Sequence, residues 1–353
     1  MAINQKTELQ KNLGMQDPFT DILGQHSAKI NLKSALMADR HVLIVGPPGV
    51  GKTTLAKNIA KLLPEIEVND CDYHCSPEKP FCAMCRAGKS KKKKIKGEDL
   101  FIRIQGSPDL SVEDLLGDID PIKALKFGPL SMEAFTPGKI FKANKGVLFF
   151  DELNRCPEKL QNALLQVLEE RKSTLGSYDV DIPADFIFIA TMNPEDSSTE
   201  KLSDVLLDRF DVLYMDYPEK LETEKKIVLL KGRKIGYDKK HIIFPENILE
   251  KAILFVRLLR ENDKLEKVPS VRASLGLYER AQSNAKINRR DAVEWNDVKE
   301  AAVSVIAHRI KLKPSMQYLK SPDEFLKEQL DKFIEQYAKD EDIELEKEKG
   351  DLA

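Results

Sequence analysis

The sequence predicts an α/β protein: a doubly wound parallel sheet in the first part of the chain, then an all-helical domain. Three observations carry this. The apolar runs 41–45, 100–105, 147–150, 186–191 and 212–215 are short and nearly continuous, as strands buried on both faces are. Between them, 55–63, 158–170 and 201–207 carry apolar residues at helical spacing, the alternation that lays helices on both faces of a parallel sheet. After Tyr217-Pro218 the strand-like runs stop, and 222–231, 246–260, 271–286 and 297–310 read as amphipathic helices.

At 353 residues the chain is long enough for about two domains with cores of their own. The net charge of −2 provides no overall basic field of the kind nucleic acid attracts. No apolar run approaches the ~20 residues of a membrane span. Residues 1–17 are polar, lack a signal-peptide core and are expected to form a flexible segment. A cytoplasmic location is the corresponding expectation.

The first apolar run leads into Gly46-Pro47-Pro48-Gly49-Val50-Gly51-Lys52-Thr53, followed by a helix opening at Thr54. Strand, glycine loop and helix form the context of a phosphate-binding loop. The glycines let backbone N–H groups curl around an anion, and the helix N-terminus adds its dipole. Lys52 is placed to reach the β- and γ-phosphates of a nucleotide, and Thr53 to ligate Mg²⁺. The run 147–150 ends in Asp151-Glu152. Asp151 suits the Mg²⁺ shell, and Glu152 suits polarisation of an attacking water, which marks hydrolysis rather than binding alone. The run 186–191 leads to Met192-Asn193-Pro194, where Asn193 either bonds a water or the γ-phosphate, or is an ordinary turn residue before proline.

Further segments resemble one branch of the AAA+ ATPases, that of the MoxR proteins and the magnesium-chelatase ATPase subunit. They are Asp151-Glu152-Leu153-Asn154-Arg155-Cys156-Pro157 with the helix 161–171, Arg103-Ile104-Gln105, Phe135-Thr136-Pro137-Gly138 and Ala190-Thr191-Met192-Asn193-Pro194. Leu206-Leu207-Asp208-Arg209-Phe210, the segment 269–275 and His308-Arg309-Ile310 complete the set. The match runs from about residue 18 to 312 in the family's order. It implies a P-loop AAA+ domain over 18–218, a helical lid over 219–312, and a C-terminal helix and charged tail over 313–353. It implies a ring, a hexamer, that hydrolyses ATP with Mg²⁺ at subunit interfaces. In that resemblance Asn193 matches sensor 1, Arg209 an arginine finger reaching the next subunit's γ-phosphate, and Arg272 sensor 2. Ile22, Leu23 and Gly24 match the adenine pocket, and Thr54 closes the phosphate loop. Residues 106–145 resemble the helix-2 insert, and 173–184, with Tyr178 at its tip, the hairpin before the sensor strand.

The segment 64–98 is less typical of the family. Cys71, Cys75, Cys82 and Cys85 form a C-x₃-C and a C-x₂-C pair separated by six residues. Four thiolates at such spacing can converge on one Zn²⁺, and an iron–sulfur cluster uses the same ligands. Directly after them Lys89, Lys91, Lys92, Lys93, Lys94 and Lys96 read as a solvated loop or as a contact for an acidic partner, with no aromatic residue to stack a base.

Three function classes follow. One is a MoxR-type motor remodelling a protein partner that carries a von Willebrand A domain. A second is a magnesium-chelatase-like metal-insertion motor. The third is a nucleic-acid motor using the lysine run, which the charge balance disfavours.

Overall fold

The computed structural model describes residues 3–174, 181–194, 202–237 and 240–350. The chain divides into two compact units between Asp216 and Tyr217.

The first unit opens with α1 (Ile3–Leu13) and α2 (His26–Met37). Expected flexibility in the first 17 residues is therefore corrected. Leu9 and Leu13 are buried, Gln5 Nε2 donates to the Lys145 carbonyl at 2.7 Å, and Asn12 Nδ2 donates to the Leu62 carbonyl at 2.8 Å. Two leucines four apart on a polar helix suffice to dock it. The chain continues through β1 (His41–Val45), α3 (Lys52–Leu62), β2 (Ile66–Asn69), α4 (Ala83–Arg86), β3 (Lys92–Ile95) and β4 (Phe101–Gln105). Next come α5 (Val112–Leu116), β5 (Gly117–Ile119), α6 (Pro121–Phe127), β6 (Phe135–Pro137), α7 (Lys139–Lys142) and β7 (Val147–Asp151). Then α8 (Glu158–Glu170), β8 (Lys172–Thr174), β9 (Asp181–Pro183), β10 (Ile187–Met192), α9 (Asp204–Leu207) and β11 (Phe210–Tyr214) complete it.

The central sheet has the order β11-β1-β10-β7-β4, every pair parallel. Its strands are apolar on both faces because both are covered: Leu43, Leu148, Phe150, Phe188 and Ala190 share one core with Leu160 and Leu164 of α8. Parallel strands put all their C-terminal ends on one edge, where such sheets bind ligands. Three antiparallel ribbons, β2–β3, β5–β6 and β8–β9, sit outside the sheet. The lysine run is thus not a loop. Lys92, Lys93 and Lys94 lie on β3 and pair with Glu67, Asp70 and Glu65, at 2.9, 3.7 and 3.7 Å.

The second unit contains α10 (Leu221–Lys231), β12 (Gly236–Tyr237), β13 (Lys240–His241), α11 (Glu246–Arg260), β14 (Leu265–Lys267) and α12 (Val271–Ile287). It ends with α13 (Trp295–Ile306), β15 (Lys311–Leu312), α14 (Pro314–Gln317) and α15 (Pro322–Gly350). Two small ribbons, β12–β13 and β14–β15, join the helices that the sequence predicts. Phe325, Leu326, Leu330 and Phe333 bury their side chains with Phe255, Val256, Leu277 and Val305, so α15 belongs to the core of this unit. Composition predicts disorder from residue 339, yet the backbone stays helical to Gly350. The residues there are mostly Glu and Lys, which favour helix where nothing opposes it. Arg260 clamps the fully buried Glu224 through two 2.7 Å bonds, with Ser274 Oγ donating a third at 2.6 Å.

Candidate active site

The phosphate loop leaves the C-terminal end of β1 and closes at Gly51, which caps α3 with φ 101°. That left-handed conformation suits glycine, and a Cβ at Gly51 would meet the Ile22 Cδ1 atom at 3.1 Å. Ile22 therefore lies beside the loop, and Leu23 and Gly24 follow it in the chain. Lys52 Nζ donates to the carbonyls of Gly46 at 2.5 Å and Pro47 at 2.9 Å, so the ammonium lies within the loop it would serve. Thr53 and Thr54 follow in the first turn of α3.

Between β1 and β7 runs β10, so three strand ends converge on one edge of the sheet. Asp151 ends β7 with Glu152 directly after it, and Asn193 directly follows β10. Glu152 adopts φ 57°, a left-handed conformation that costs a non-glycine residue about 1–3 kcal/mol. It is held there by its N–H, which donates to Thr191 Oγ1 at 3.0 Å. The same hydroxyl donates to Asp151 Oδ1 at 2.7 Å. Arg103 on β4 donates to Asp151 Oδ2 at 2.6 Å. Gln105 Nε2 donates to Glu152 Oε2 at 2.9 Å, and Arg155 Nε lies 3.3 Å from that oxygen. Gly106 passes so close that a Cβ there would lie 2.0 Å from the Glu152 carbonyl oxygen. Asn154 is buried, and its amide donates to the Asn193 carbonyl at 3.4 Å.

Sequence reasoning names Asp151, Glu152 and Asn193 but not Thr191, Arg103, Gln105 or Asn154 as their holders. Each stands in a quoted motif, but the register Gln105↔Asp151 that pairs β4 with β7 is a tertiary fact. Thr191 bridges both acids from a fully buried position. Thr191→Val should lower hydrolysis about ten-fold and stability by about 1–3 kcal/mol, since the Glu152 N–H is left unpaired. Urea unfolding beside steady-state turnover would check it, and unchanged values in both would show that the bridge carries nothing.

Arg209 precedes β11, at the sheet edge opposite the phosphate loop. It donates to the Val205 carbonyl at 2.9 Å and to Glu169 Oε2 at 2.7 Å, whereas Asp211 pairs with Arg40. Arg272 belongs to the second unit, exposed in the first turn of α12, whose Ser270 cap accepts its N–H at 3.3 Å. Tyr178 and the hairpin tip fall outside the described residues.

Away from the nucleotide loop, the sulfurs of Cys71, Cys75, Cys82 and Cys85 lie within 4.8 Å of one another. Cys75, Cys82 and Cys85 are buried and Cys71 is partly so. A thiol hydrogen bond from Cys75 pulls Cys71 down to about 5, and the same bond pushes Cys75 up; burial raises Cys82 to about 11. Cys156 is buried elsewhere in the same core, as a packed thiol is.

Fold and site together define a nucleotide-hydrolysing P-loop protein with an AAA+ domain and a lid. Residues 83–212 match the ATPase family associated with various cellular activities (AAA), 18–75 match magnesium chelatase, subunit ChlI, and 266–329 match the AAA lid domain. The magnesium-chelatase subunit ChlI homolog of Methanocaldococcus jannaschii is 29% identical, over 91% of each chain. The chloroplastic magnesium-chelatase subunit ChlI-2 of Arabidopsis thaliana is 30% identical over 84% of this chain and 76% of its own. The uncharacterized protein YeaC of Bacillus subtilis is 27% identical over 84% and 85%. This chain belongs to the AAA+ ATPases, in the branch of the magnesium-chelatase ATPase subunit and the MoxR proteins. It is an ATPase, and its chemistry requires ATP and Mg²⁺.

Proposed function

We propose that the chain is the subunit of a hexameric ring motor of MoxR type, acting in the cytoplasm on a protein partner with a von Willebrand A domain. Lys52, Thr53 and Asp151 hold Mg²⁺-ATP with the loop from Gly46 to Thr54 and the segment Ile22 to Gly24. Glu152 activates water, Asn193 senses the γ-phosphate, and Arg209 and Arg272 act as finger and second sensor. A metal ion at the four cysteines belongs to the same reading, as Zn²⁺ or an iron–sulfur cluster.

The observation that carries the protein-partner reading is the insert between β4 and β7. Its helix α6 buries no side chain, and Ile122, Leu125 and Leu130 stand 80%, 91% and 69% exposed. Apolar side chains held out on an insert that begins beside Gln105 and ends at β7 suit a protein surface, not a polyanion. The paired lysines of β3 point the same way: their charge is offset by neighbouring acids. The magnesium-chelatase-like reading draws on the two relatives named for the magnesium-chelatase subunit ChlI.

Turnover should rise with a von Willebrand A domain protein encoded beside this chain and stay flat with single- or double-stranded DNA or RNA. Leu125→Asp should abolish that rise while basal hydrolysis stays within about two-fold, since Leu125 is solvent-exposed in the isolated chain. Stimulation by nucleic acid that vanishes when Lys91 to Lys94 become Ser would move the assignment to a nucleic-acid motor. ATP-dependent metal insertion into a tetrapyrrole, with integrator and catalytic subunits added, would move it to a chelatase.

A further inference from the structure

We infer that Cys71, Cys75, Cys82 and Cys85 hold a single Zn²⁺ rather than an iron–sulfur cluster, and that this ion fastens the 64–98 segment to the base of β7 and β10. The inference rests on the reading that these cysteines take a metal, and adds which metal and to what end.

The spacing of the sulfurs selects the ion. All four lie within 4.8 Å of one another. A tetrahedron with Zn–S near 2.3 Å has edges of about 3.8 Å, so rotamer adjustments of about 1 Å close the site. A four-iron cluster puts each thiolate on a different corner of a cube, and a two-iron cluster puts two thiolates on each of two irons. Both hold the sulfurs of different irons farther apart than the 4.8 Å found here. The loop is also shaped for anionic sulfur. The Cys75 N–H donates to Cys71 Sγ at 3.4 Å, after a turn in which His74 takes a left-handed φ of 48°. Two buried polar atoms beside the ligands, Tyr73 Oη and His74 Nδ1, have no hydrogen-bond partner. A dianionic tetrathiolate offers acceptors that neutral thiols offer poorly.

The segment needs such a centre. Between β2 and β3 its only regular element is the four-residue α4, and the ribbon's own core is Val68, Ile95 and Leu100. A piece of chain this small seldom holds a fold by apolar burial alone. One buried side chain hydrogen-bonds the liganded turn to the residues that lead into two strands of the sheet. Asn144 Nδ2 donates to the Tyr73 carbonyl at 3.1 Å, and Asn144 Oδ1 accepts from the Asp185 N–H at 3.2 Å. Lys145 N–H donates to the Asp185 carbonyl at 2.7 Å. Two residues later β7 begins, and β10 begins two residues after Asp185. Cys75, Cys82 and Cys85 share the core of Phe141, Leu148 and Phe150. The centre thus sits at the N-terminal edge of the two strands whose far ends carry Asp151, Glu152 and Asn193.

The full chain, purified without chelator in air and again under anaerobic conditions, should contain about one zinc per chain with neither iron nor acid-labile sulfide. Titrating the thiols with a mercurial in the presence of a chelator removes the ion without mutation. Backbone hydrogen exchange over 66–95 and 140–147 should then rise about ten-fold or more, and return once excess thiol has stripped the mercurial and Zn²⁺ is restored. Asn144→Ala should keep the zinc yet raise exchange over 140–147, which separates fastening from metal binding. Iron with sulfide in the anaerobic protein would overturn the choice of zinc. No metal in either preparation would overturn the metal reading itself. Zinc whose removal leaves 140–147 unchanged would overturn the clamp while leaving the metal reading intact.

Discussion

Glu152→Gln should bind ATP with near-parental affinity and turn it over about 10²–10⁴-fold more slowly, the range a lost general base produces. The structure makes this substitution a clean one. The Glu152 backbone is fixed by its N–H to Thr191, and its side chain ends against Gln105 and Arg155. Glutamine has the same shape and removes only the negative charge, so the loop geometry and the Thr191 bond persist. Lys52→Ala should instead lose binding, because its ammonium lies within the phosphate loop against the Gly46 and Pro47 carbonyls. Nucleotide affinity from a fluorescent analogue and phosphate release from the same preparations check both. Parental turnover in Glu152→Gln would remove Glu152 from the water-activating role.

What the sequence reveals of this molecule follows from what is local. A phosphate loop is a single strand–turn–helix unit, and its residues announce themselves through glycine spacing and the flanking periodicity. Asp151 and Glu152 are legible for the same reason, as charges that end an apolar strand. The residues that hold them are not local. Thr191 reaches both acids only because β10 lies next to β7, and Arg103 and Gln105 do so only because β4 flanks its other side. Neither neighbour relation can be read from periodicity, since buried parallel strands look alike in any order. The N-terminal helix was illegible for a different reason: two buried leucines among polar residues give a weak pattern, and the hydrogen bonds of Gln5 and Asn12 go to carbonyls far along the chain. The cysteines show the intermediate case. Their spacing reveals a ligand set, but the mutual approach of the sulfurs is a tertiary fact.

Arg209→Ala should still bind ATP and hydrolyse it about 10³-fold or more slowly, the loss expected for a missing arginine finger. In the proposed role, the topology requires Arg209 to act on a neighbouring subunit. In the parallel pair β1–β11, His41 lies opposite Phe210 and Val45 opposite Tyr214. Gly46 leaves the C-terminal end of this pair, while Arg209 enters at its N-terminal end. Six residue steps separate the two levels, roughly 20 Å along the strand, which is far beyond the reach of a guanidinium anchored on Val205 and Glu169. Within one chain Arg209 therefore cannot touch a phosphate bound at Lys52. On a head-to-tail interface, where unlike faces of successive subunits meet and a ring closes, it can. Mixing supplies the decisive measurement. Neither Arg209→Ala nor Glu152→Gln protein turns over alone, but an Arg209→Ala subunit keeps Glu152 and a Glu152→Gln neighbour supplies Arg209. In an equal, random mixture about one interface in four has that composition, so turnover should recover toward a quarter of the parental rate. No recovery in subunits shown to exchange, or full parental activity at dilutions where only monomer is present, would place the hydrolytic machinery within a single chain and end the case for a finger in trans.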